Sequence, residues 1–139
     1  MTAAKQEHLD ARQLYSGLIR FHILHRAAKE GVFGLGMMEE LARHGYKLSP
    51  GTLYPVLHGL EEDGLLRSEK HNLAGKIRRV YRTTPAGEKV LMAAKVKVRE
   101  LFGELFEDDH GIELIRTRPR VVTVQAANFR KRTAANSAL

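Results

Sequence analysis

The segment "LSPGTLYPVLHGLEEDGLL", Leu48 to Leu66, has the clearest structural pattern in this chain. Its apolar residues recur at the i, i+3, i+4, i+7 spacing of an amphipathic helix that buries one side in a core; they are Leu53, Val56, Leu57 and Leu60. The first half of the same segment contains two prolines and a glycine, which are poor helix formers. The uncovered side of this helix is therefore expected to serve a purpose other than helix formation.

The ends of this helix can be read from its capping residues. Ser49 is a favourable N-cap, and Pro50 occupies the first helical position, where its missing N–H costs nothing. Gly64 ends the helix after Glu61, Glu62 and Asp63. Pro55 fits less well, because an N–H at that position would have bonded to the Gly51 carbonyl. The sequence predicts a short helix whose N-terminal half is selected for its surface.

That surface is suited to anions. Thr52 and Tyr54 offer hydroxyl groups, Gly51 permits close backbone approach, and residues 41–60 contain no acidic residue. The N-terminus of a helix also attracts negative charge. We therefore predict that the uncovered side of this helix lies against phosphates.

Length and composition exclude several protein classes. A chain of 139 residues suits one domain of modest core. It has no cysteine, which excludes disulfides, thiolate zinc sites and cysteine nucleophiles. No apolar run approaches the ~20 residues that span a bilayer, and the first ten residues lack the apolar segment of a secretory signal. We expect a cytoplasmic protein with no membrane partner.

Positive charge is concentrated in two segments. The formal net charge is +7, while residues 65–84 and residues 110–139 each hold six basic residues and one acidic residue. Because each segment carries +5, the rest of the chain is mildly acidic, a distribution typical of proteins that bind polyanions. The alternative at this point is a basic surface that only aids solubility.

Two helices are predicted before the segment. The first begins at Asp10, with Gln13 as its capping-box partner. Its apolar residues follow at helical spacing, at Leu14, Leu18, Phe21, Leu24 and Ala28. The second covers about residues 34–44 and ends at Gly45, a left-handed stop. It places four residues toward the core, namely Met37, Met38, Leu41 and Ala42.

A basic hairpin and a long helix are predicted after it. The hairpin turns within "NLAG", with Ile77, Tyr81 and Thr83 on one face and Val80 on the other. Thr84 caps and Pro85 opens a helix that runs to roughly Phe106. Its apolar residues have coiled-coil spacing, at Leu91, Ala94, Val98, Leu101 and Leu105. This stripe favours a homodimer over packing on the parent domain, although both remain open.

These elements predict a mainly α fold with a small β-hairpin. Residues 10–84 would form a winged helix-turn-helix domain, residues 85–109 a dimerisation helix, and residues 110–139 a basic tail. Within the tail we expect a short helix or strand near residues 121–124 and a mobile segment beyond about residue 125.

The order helix, helix, turn, helix, basic hairpin resembles the PadR-like family of bacterial transcriptional regulators over residues 14–106. The shared pattern is S-x-G-T-L-Y-P-x-L-x-x-L-E-x-x-G-L, then a basic wing that ends Y-R-x-T-x-x-G. It is matched at Ser49, Gly51, Thr52, Leu53, Tyr54, Pro55, Leu57, Leu60, Glu61, Gly64, Leu65, Tyr81, Arg82, Thr84 and Gly87. The resemblance implies a repressor that binds a double-stranded DNA operator as a homodimer, with no catalytic residues and no cofactor.

The resemblance also implies which residues face DNA. The helix would supply Ser49, Thr52, Tyr54, Pro55 and His58, and the wing would supply Lys76, Arg78 and Arg79. Family members are often released by hydrophobic or phenolic small molecules. The corresponding effector pocket would lie between one chain and its partner and use Leu14, Leu18, Phe21, Leu101, Phe102 and Leu105. Leu35 replaces the tyrosine that the family often carries there, and tryptophan is absent.

Two other classes are weighed against this one. An enzyme or a metal-responsive regulator would have to use histidines with nearby carboxylates, at His22, His25, His44, His58, His71 or His110. No such set has a diagnostic ligand spacing, so no metal site is predicted, and no nucleophile or phosphate-loop motif is found. A winged helix that contacts only proteins would not need the +5 wing beside an acid-free helix.

Overall fold

The computed structural model describes residues 3–107 and 122–123. Within these residues the elements follow one another as α1 (Ala3–Lys29), α2 (Gly34–Arg43), β1 (Tyr46–Lys47), α3 (Pro50–Glu62), β2 (Leu66–Leu73), β3 (Lys76–Thr83), α4 (Pro85–Leu105) and β4 (Val122–Thr123). The fold is mostly helical with a small antiparallel hairpin, as predicted. No helix in this part of the chain is both long and apolar enough to cross a membrane.

The core lies where α1, α2 and α3 meet the base of the hairpin. Its largest fully buried side chains come from all four elements, and include Ile19, Ile23, Met37, Leu41, Leu53, Leu57 and Tyr81. Burial of one such side chain stabilises the fold by roughly 1.5–3 kcal/mol. This core fixes the orientation of α3 and of the hairpin, which are the two elements that carry the candidate site.

Helix α3 confirms the expectations for its capping and core residues. Ser49 occupies the N-cap position, although its side chain makes no capping hydrogen bond, and Pro50 is the first helical residue. Gly64 has the left-handed φ of 77° that ends the helix. The predicted stripe of Leu53, Val56, Leu57 and Leu60 is buried. Pro55 lies inside the helix. Its tolerance there shows that packing of the stripe outweighs the lost backbone hydrogen bond.

Helix α1 differs from its prediction in its first residue and in its buried side. It begins at Ala3, so Asp10 lies inside the helix and is not its cap. The core side is formed by Ile19, Ile23, Leu24 and Ala27, whereas Leu14, Leu18 and Ala28 are exposed. The predicted apolar series therefore crosses from the core side to an open side of the helix.

Helix α2 follows its prediction more closely. Met37 and Leu41 are buried and Met38 is half-buried, but Ala42 is exposed and does not face the core. The helix ends before Gly45, whose φ of 86° confirms the predicted left-handed stop. A short strand, β1, then leads into α3.

The hairpin of β2 and β3 pairs Leu66 with Thr83 at its base and Leu73 with Lys76 at its tip. Its turn is formed by Ala74 and Gly75, at φ 52° and 83°. Tyr81 and Thr83 are buried on one face and Val80 on the other, as predicted. We call residues 66–83 the wing.

A third strand segment completes the base of the wing. The Val32 amide donates to the Tyr81 carbonyl at 2.9 Å, and the Tyr81 amide donates to the Val32 carbonyl at 2.7 Å. This antiparallel bridge ties the wing to the loop between α1 and α2. The start of α2 is thereby held close to the wing.

Helix α4 begins as predicted. The Gly87 amide donates to Thr84 Oγ1 at 3.0 Å, and Pro85 is the first helical residue. Any side chain at position 87 would collide with the Leu65 carbonyl, so glycine is required there. Leu91 is buried, whereas Val98, Leu101 and Leu105 are exposed. The second half of the predicted stripe has no cover within the described residues.

The tail returns to the domain through β4. This strand runs parallel to β1, with Val122 beside Tyr46 and Thr123 beside Lys47. The strand falls within the predicted residues 121–124. The mobile segment that was predicted beyond about residue 125 lies outside the described residues.

Candidate nucleic-acid interface

The uncovered side of α3 forms the centre of the candidate site. The core stripe occupies the other side of this helix, which leaves several residues exposed at its N-cap and along the helix as far as His58. They are Ser49, Pro50, Gly51, Tyr54, Pro55 and His58. The first turn contains no acidic residue. The positive end of the helix dipole is therefore unopposed by any side chain of that turn.

Tyr54 bridges α3 to the beginning of α2. A methyl group built on Gly34 would lie 2.5 Å from the Tyr54 hydroxyl oxygen, so the tyrosine lies directly over that glycine. The ring of His58 follows at 6.4 Å between ring centroids. The Tyr54 hydroxyl is thus held at the N-terminus of α2.

Thr52 does not lie where the sequence analysis placed it. Its residue is only 3% exposed, and its hydroxyl lies 3.3 Å from the Ser49 hydroxyl. The expectation that Thr52 points away from the core is wrong, because its place on the helix turns it toward the interior beside Leu53 and Val56. Thr52 can therefore affect the surface through its contact with the Ser49 hydroxyl.

The start of α2 adjoins this surface, and its first residue, Gly34, is buried beneath Tyr54. Its N-cap, Phe33, makes no side-chain capping hydrogen bond, so the first amide groups lack a side-chain acceptor. The Arg78 guanidinium lies 5.1 Å from the centroid of the Phe33 ring, a distance at which a cation is attracted to the ring face. Phe33, Gly34, Tyr54 and Arg78 together form what we call the anion corner.

The three wing cations do not act as one set. Side chains alternate between the faces of a strand, so Lys76 and Arg78 share one face while Arg79 lies on the other. The Arg79 guanidinium donates to the Ser68 hydroxyl at 2.9 Å, and Ser68 donates to the Glu61 carboxylate at 2.7 Å. Ser68 therefore ties the wing to the end of α3, and Arg79 supports this link through its hydrogen bond to the Ser68 hydroxyl. Its part in binding DNA stays a prediction.

Only some of the histidines considered as metal ligands lie close together. The rings of His22 and His44 lie 4.5 Å apart between centroids, and the Tyr46 ring packs edge-on against His22. Burial, and next the neighbouring His44, lower the pKa of His22 from its ordinary value of 6.5. Across residues 3–107 and 122–123, no group of three or more metal-ligating side chains is found. His110 lies outside the described residues.

The residues predicted for an effector pocket lie on α1 and α4, which pack against each other. Leu14, Leu18, Leu101, Phe102 and Leu105 are exposed, and Phe21 is half-buried against the core. In a single chain these side chains form an open surface and do not enclose a space. Their role in binding an effector stays a prediction.

The loop between α1 and α2 contributes to the site, although this was not predicted. Val32 pairs with the wing, Phe33 lies under Arg78, and Gly34 accommodates Tyr54. Three glycines occur in "GVFGLG", residues 31–36. Their density was the available signal, because glycine clusters also mark close backbone approach.

Comparison with known proteins identifies the family of this chain. The family model described as "Transcriptional regulator PadR-like family" matches residues 23–93. Transcriptional regulator Rv3488 of Mycobacterium tuberculosis is 50% identical over 94 residues, which is 68% of this chain and 88% of that protein.

Two solved structures are similar along most of their own length. A PadR family transcriptional regulator from Eggerthella lenta is 32% identical, with a TM-score of 0.59 and coverage of 76% of this chain and 94% of that one. A PadR-like transcription factor from Bacteroides fragilis is 27% identical, with a TM-score of 0.60 and coverage of 68% and 93%. The chain therefore belongs to the PadR-like family of transcriptional regulators, and it is a DNA-binding regulator and not an enzyme.

Proposed function

We propose that this protein is a repressor that binds its operator as a homodimer, with α3 in the major groove and the wing on the flanking DNA. The observation that carries this proposal is the anion corner beside the exposed N-terminal half of α3. The N-terminus of α2, the Tyr54 hydroxyl and the Arg78 guanidinium converge there. The proposed place of action is the cytoplasm, where its DNA target lies.

Each element has a distinct task in this proposal. Ser49, Tyr54, Pro55 and His58 occupy the end of α3 that meets base edges and the nearest phosphates in helix-turn-helix proteins. Lys76 and Arg78 bind phosphates without reading sequence. Thr52 supports Ser49 from the interior, and Arg79 supports the link that Ser68 makes between the wing and Glu61 of α3.

The homodimer is proposed from the open apolar surface of α1 and α4. Leu101 is 52% exposed and Leu105 is 58% exposed, although both continue the helical series that buries Leu91. Apolar side chains repeated at this spacing favour a partner helix, and a second copy of the chain supplies the same surface with closed symmetry. Two copies would present two copies of α3 to successive major grooves.

Release by a small molecule is proposed for the same surface. Leu14 and Leu18 from one chain, facing Leu101 and Phe102 from its partner, would enclose an apolar space that a single chain leaves open. A hydrophobic or phenolic effector fits such a lining. Binding there would change the angle between the two DNA-binding domains and so the spacing of the two copies of α3.

The test is a gel-shift assay with a labelled fragment from upstream of the gene that encodes this protein, and with an unrelated fragment of equal length. We expect preferential binding of the upstream fragment, at a protein stoichiometry of two per site. A panel of phenolic compounds screened by thermal shift then identifies candidates for release. Equal affinity for both fragments at every salt concentration would contradict sequence-specific regulation.

A further inference from the structure

Strand β4 holds the C-terminal part of the chain beside the start of α3. Val122 pairs with Tyr46 and Thr123 pairs with Lys47, and Ser49, at the N-cap position of α3, follows Lys47 by two residues. The match to the family model ends at residue 93, so this strand lies outside the region shared with the family. It brings Thr123 close to the candidate site.

The parallel direction of β4 determines where the chain leads after Thr123. The two strands of a parallel ladder run the same way, so the chain leaves Thr123 in the direction in which β1 leaves Lys47. That direction is toward the N-terminus of α3. An antiparallel strand would have led back toward the end of α2. The residues after β4 therefore start toward the nucleic-acid side of the domain.

The residues that follow β4 are basic. Residues 124–139 contain Arg130, Lys131 and Arg132 and no acidic residue. Arg130 is seven residues beyond Thr123, and a chain of that length spans at most about 25 Å. The major groove of DNA is about 12 Å wide. The three cations are thus within reach of the phosphates that border a groove occupied by α3.

The domain provides little negative charge where the chain leaves β4. Residues 41–60 contain no acidic residue, and Lys47, which is exposed, adds positive charge beside β4. The acidic residue that precedes this stretch, Glu40, is bound by the Arg43 guanidinium at 2.7 Å. A basic segment that starts from such a surface favours an external polyanion over the surface of its own domain.

We propose that Arg130, Lys131 and Arg132 form a basic arm that binds the DNA backbone beside the groove occupied by α3. This inference rests on the proposed function and adds a third DNA contact to those of α3 and the wing. The arm is independent of the wing, because β4 is paired with β1 and not with the hairpin. Its contacts are to phosphates, so they raise affinity without reading sequence.

The first test removes the charge of the arm. Arg130→Gln combined with Lys131→Gln and Arg132→Gln is titrated against the upstream fragment by fluorescence anisotropy at several salt concentrations. The salt slope should fall by up to about three per protomer, and affinity at about 50 mM salt should fall by about tenfold or more. The unrelated fragment should show the same losses, because phosphate contacts are independent of sequence.

The matched control removes equal charge from the other side of β4. Arg116→Gln combined with Arg118→Gln and Arg120→Gln changes three cations that precede the strand. The chain arrives at β4 from the side opposite to α3, because the ladder is parallel. This variant should weaken binding much less than the arm variant does.

The second test releases the arm and leaves its charge unchanged. Val122→Pro combined with Thr123→Pro removes both strand N–H groups, which disrupts pairing with β1. Binding should weaken by several-fold, because the effective concentration of the arm near DNA falls. Gln125→Pro, beyond the paired residues, is the control and should bind like the wild type.

A cleavage label locates the arm on DNA. The chain has no cysteine, so Thr133→Cys provides a single thiol for an iron–EDTA label that cuts nearby DNA. Cleavage of the upstream fragment should cluster beside each half-site. The double proline variant, labelled in the same way, should cut with less focus.

Four results would overturn the inference. They are a wild-type salt slope in the arm variant, equal losses in the arm variant and its control, cleavage spread evenly along the fragment, and loss of the dimer in the arm variant by sedimentation velocity. The last would assign the arm to a second copy of the chain. Failure of the proposed function is seen separately, as a wild-type protein that does not prefer the upstream fragment, and the salt slope on the unrelated fragment then decides whether the arm binds DNA.

Discussion

The two exposed sides of this domain differ in chemistry. The side formed by α3 and the wing carries hydroxyls, helix N-termini and cations, with no acid in residues 41–60 or 70–87. The side formed by α1 and the second half of α4 exposes leucines and phenylalanines, at Leu14, Leu18, Leu101, Phe102 and Leu105. One small core thus separates a surface suited to a polyanion from a surface suited to a second apolar helix.

Substitutions on the apolar side should have the largest effect on operator binding. Leu101→Glu combined with Leu105→Glu places charges in the proposed dimer seam, where unpaired buried charge costs several kcal/mol. Sedimentation velocity should show a monomer, and operator affinity should fall by at least about 100-fold because two half-sites are no longer bound together. The side formed by α3 and the wing should remain intact.

The matched control for this variant is Val96→Glu. Val96 lies about 180° around α4 from the middle of the apolar series, given 100° per residue, and it is also exposed. This variant should remain a dimer. A double Glu variant that also remains dimeric would show that the seam lies elsewhere.

Tyr54 lies on the exposed side of α3 and Thr52 on its buried side, so substitutions at these positions should separate binding from stability. Tyr54→Phe should weaken operator binding by about 1–3 kcal/mol where its hydroxyl contacts DNA, with an unchanged melting temperature. Thr52→Ala should instead lower the free energy of unfolding by about 1 kcal/mol, because Thr52 is buried. Chemical denaturation and anisotropy titrations separate the two effects.

Gly34→Ala tests the same contact from the other helix. Its methyl group would collide with the Tyr54 hydroxyl, and the tyrosine can rotate toward solvent since it is exposed. We expect near-normal stability and a binding defect comparable to that of Tyr54→Phe. Normal binding by both variants would remove Tyr54 from the interface.

Arg78 and Arg79 lie on opposite faces of the wing, so alanine substitutions at the two positions should have different effects. Arg78→Ala should reduce the salt dependence of binding by about one phosphate per protomer and weaken specific and non-specific DNA alike. Lys76→Ala should behave similarly. Arg79→Ala should also lower the melting temperature, because it removes the hydrogen bond to Ser68 between the two strands of the wing. Identical behaviour of all three variants would contradict the assignment of different faces.

The smallest expected effect is a dependence of stability on pH at the contact of α1, α2 and β1. Burial lowers the pKa of His22 below 6.5 in the folded chain, and His44 and His25 lower it further while Glu40 opposes them. The unfolded chain therefore binds more protons near this pH, and the contribution is present above about pH 6.5 and lost as the pH falls through the folded pKa.

His22→Gln should reduce the fall in melting temperature between about pH 7.5 and pH 5.5. His25, whose pKa is lowered by burial and then by Lys29, accounts for part of the remaining dependence. Melting curves at equal ionic strength measure both. An unchanged slope in the His22 variant would contradict this account.

Much of the fold could be predicted because its signals are local. The stripe of α3, the caps at Ser49 and Thr84, and the stops at Gly45 and Gly64 depend on residues within a few positions of each other. The start of α1 could not be predicted in this way, since Asp10 is a good cap by composition but lies within a longer helix. Local capping preference was outweighed by continuation of the helix toward Ala3.

The candidate site was predictable in its elements and less so in its side chains. Exposure of Tyr54, Pro55 and His58 followed from the position of the core stripe. Burial of Thr52 could not be predicted in this way, because threonine occurs on both the buried and the exposed sides of helices. The contacts of Gly34 with Tyr54 and of Phe33 with Arg78 join segments that are distant in sequence.

Local patterns in the chain were enough to predict the family, the order of the elements, the core stripe of α3 and the excess of positive charge on the wing. The buried side of α1, the contact of Arg78 with Phe33 and the pairing of Val32 at the base of the wing could be seen only in the folded chain. The forces behind these two groups of features differ in range. Capping, turn geometry and helical periodicity act between chain neighbours, whereas burial and strand pairing depend on which remote surfaces the completed core brings together.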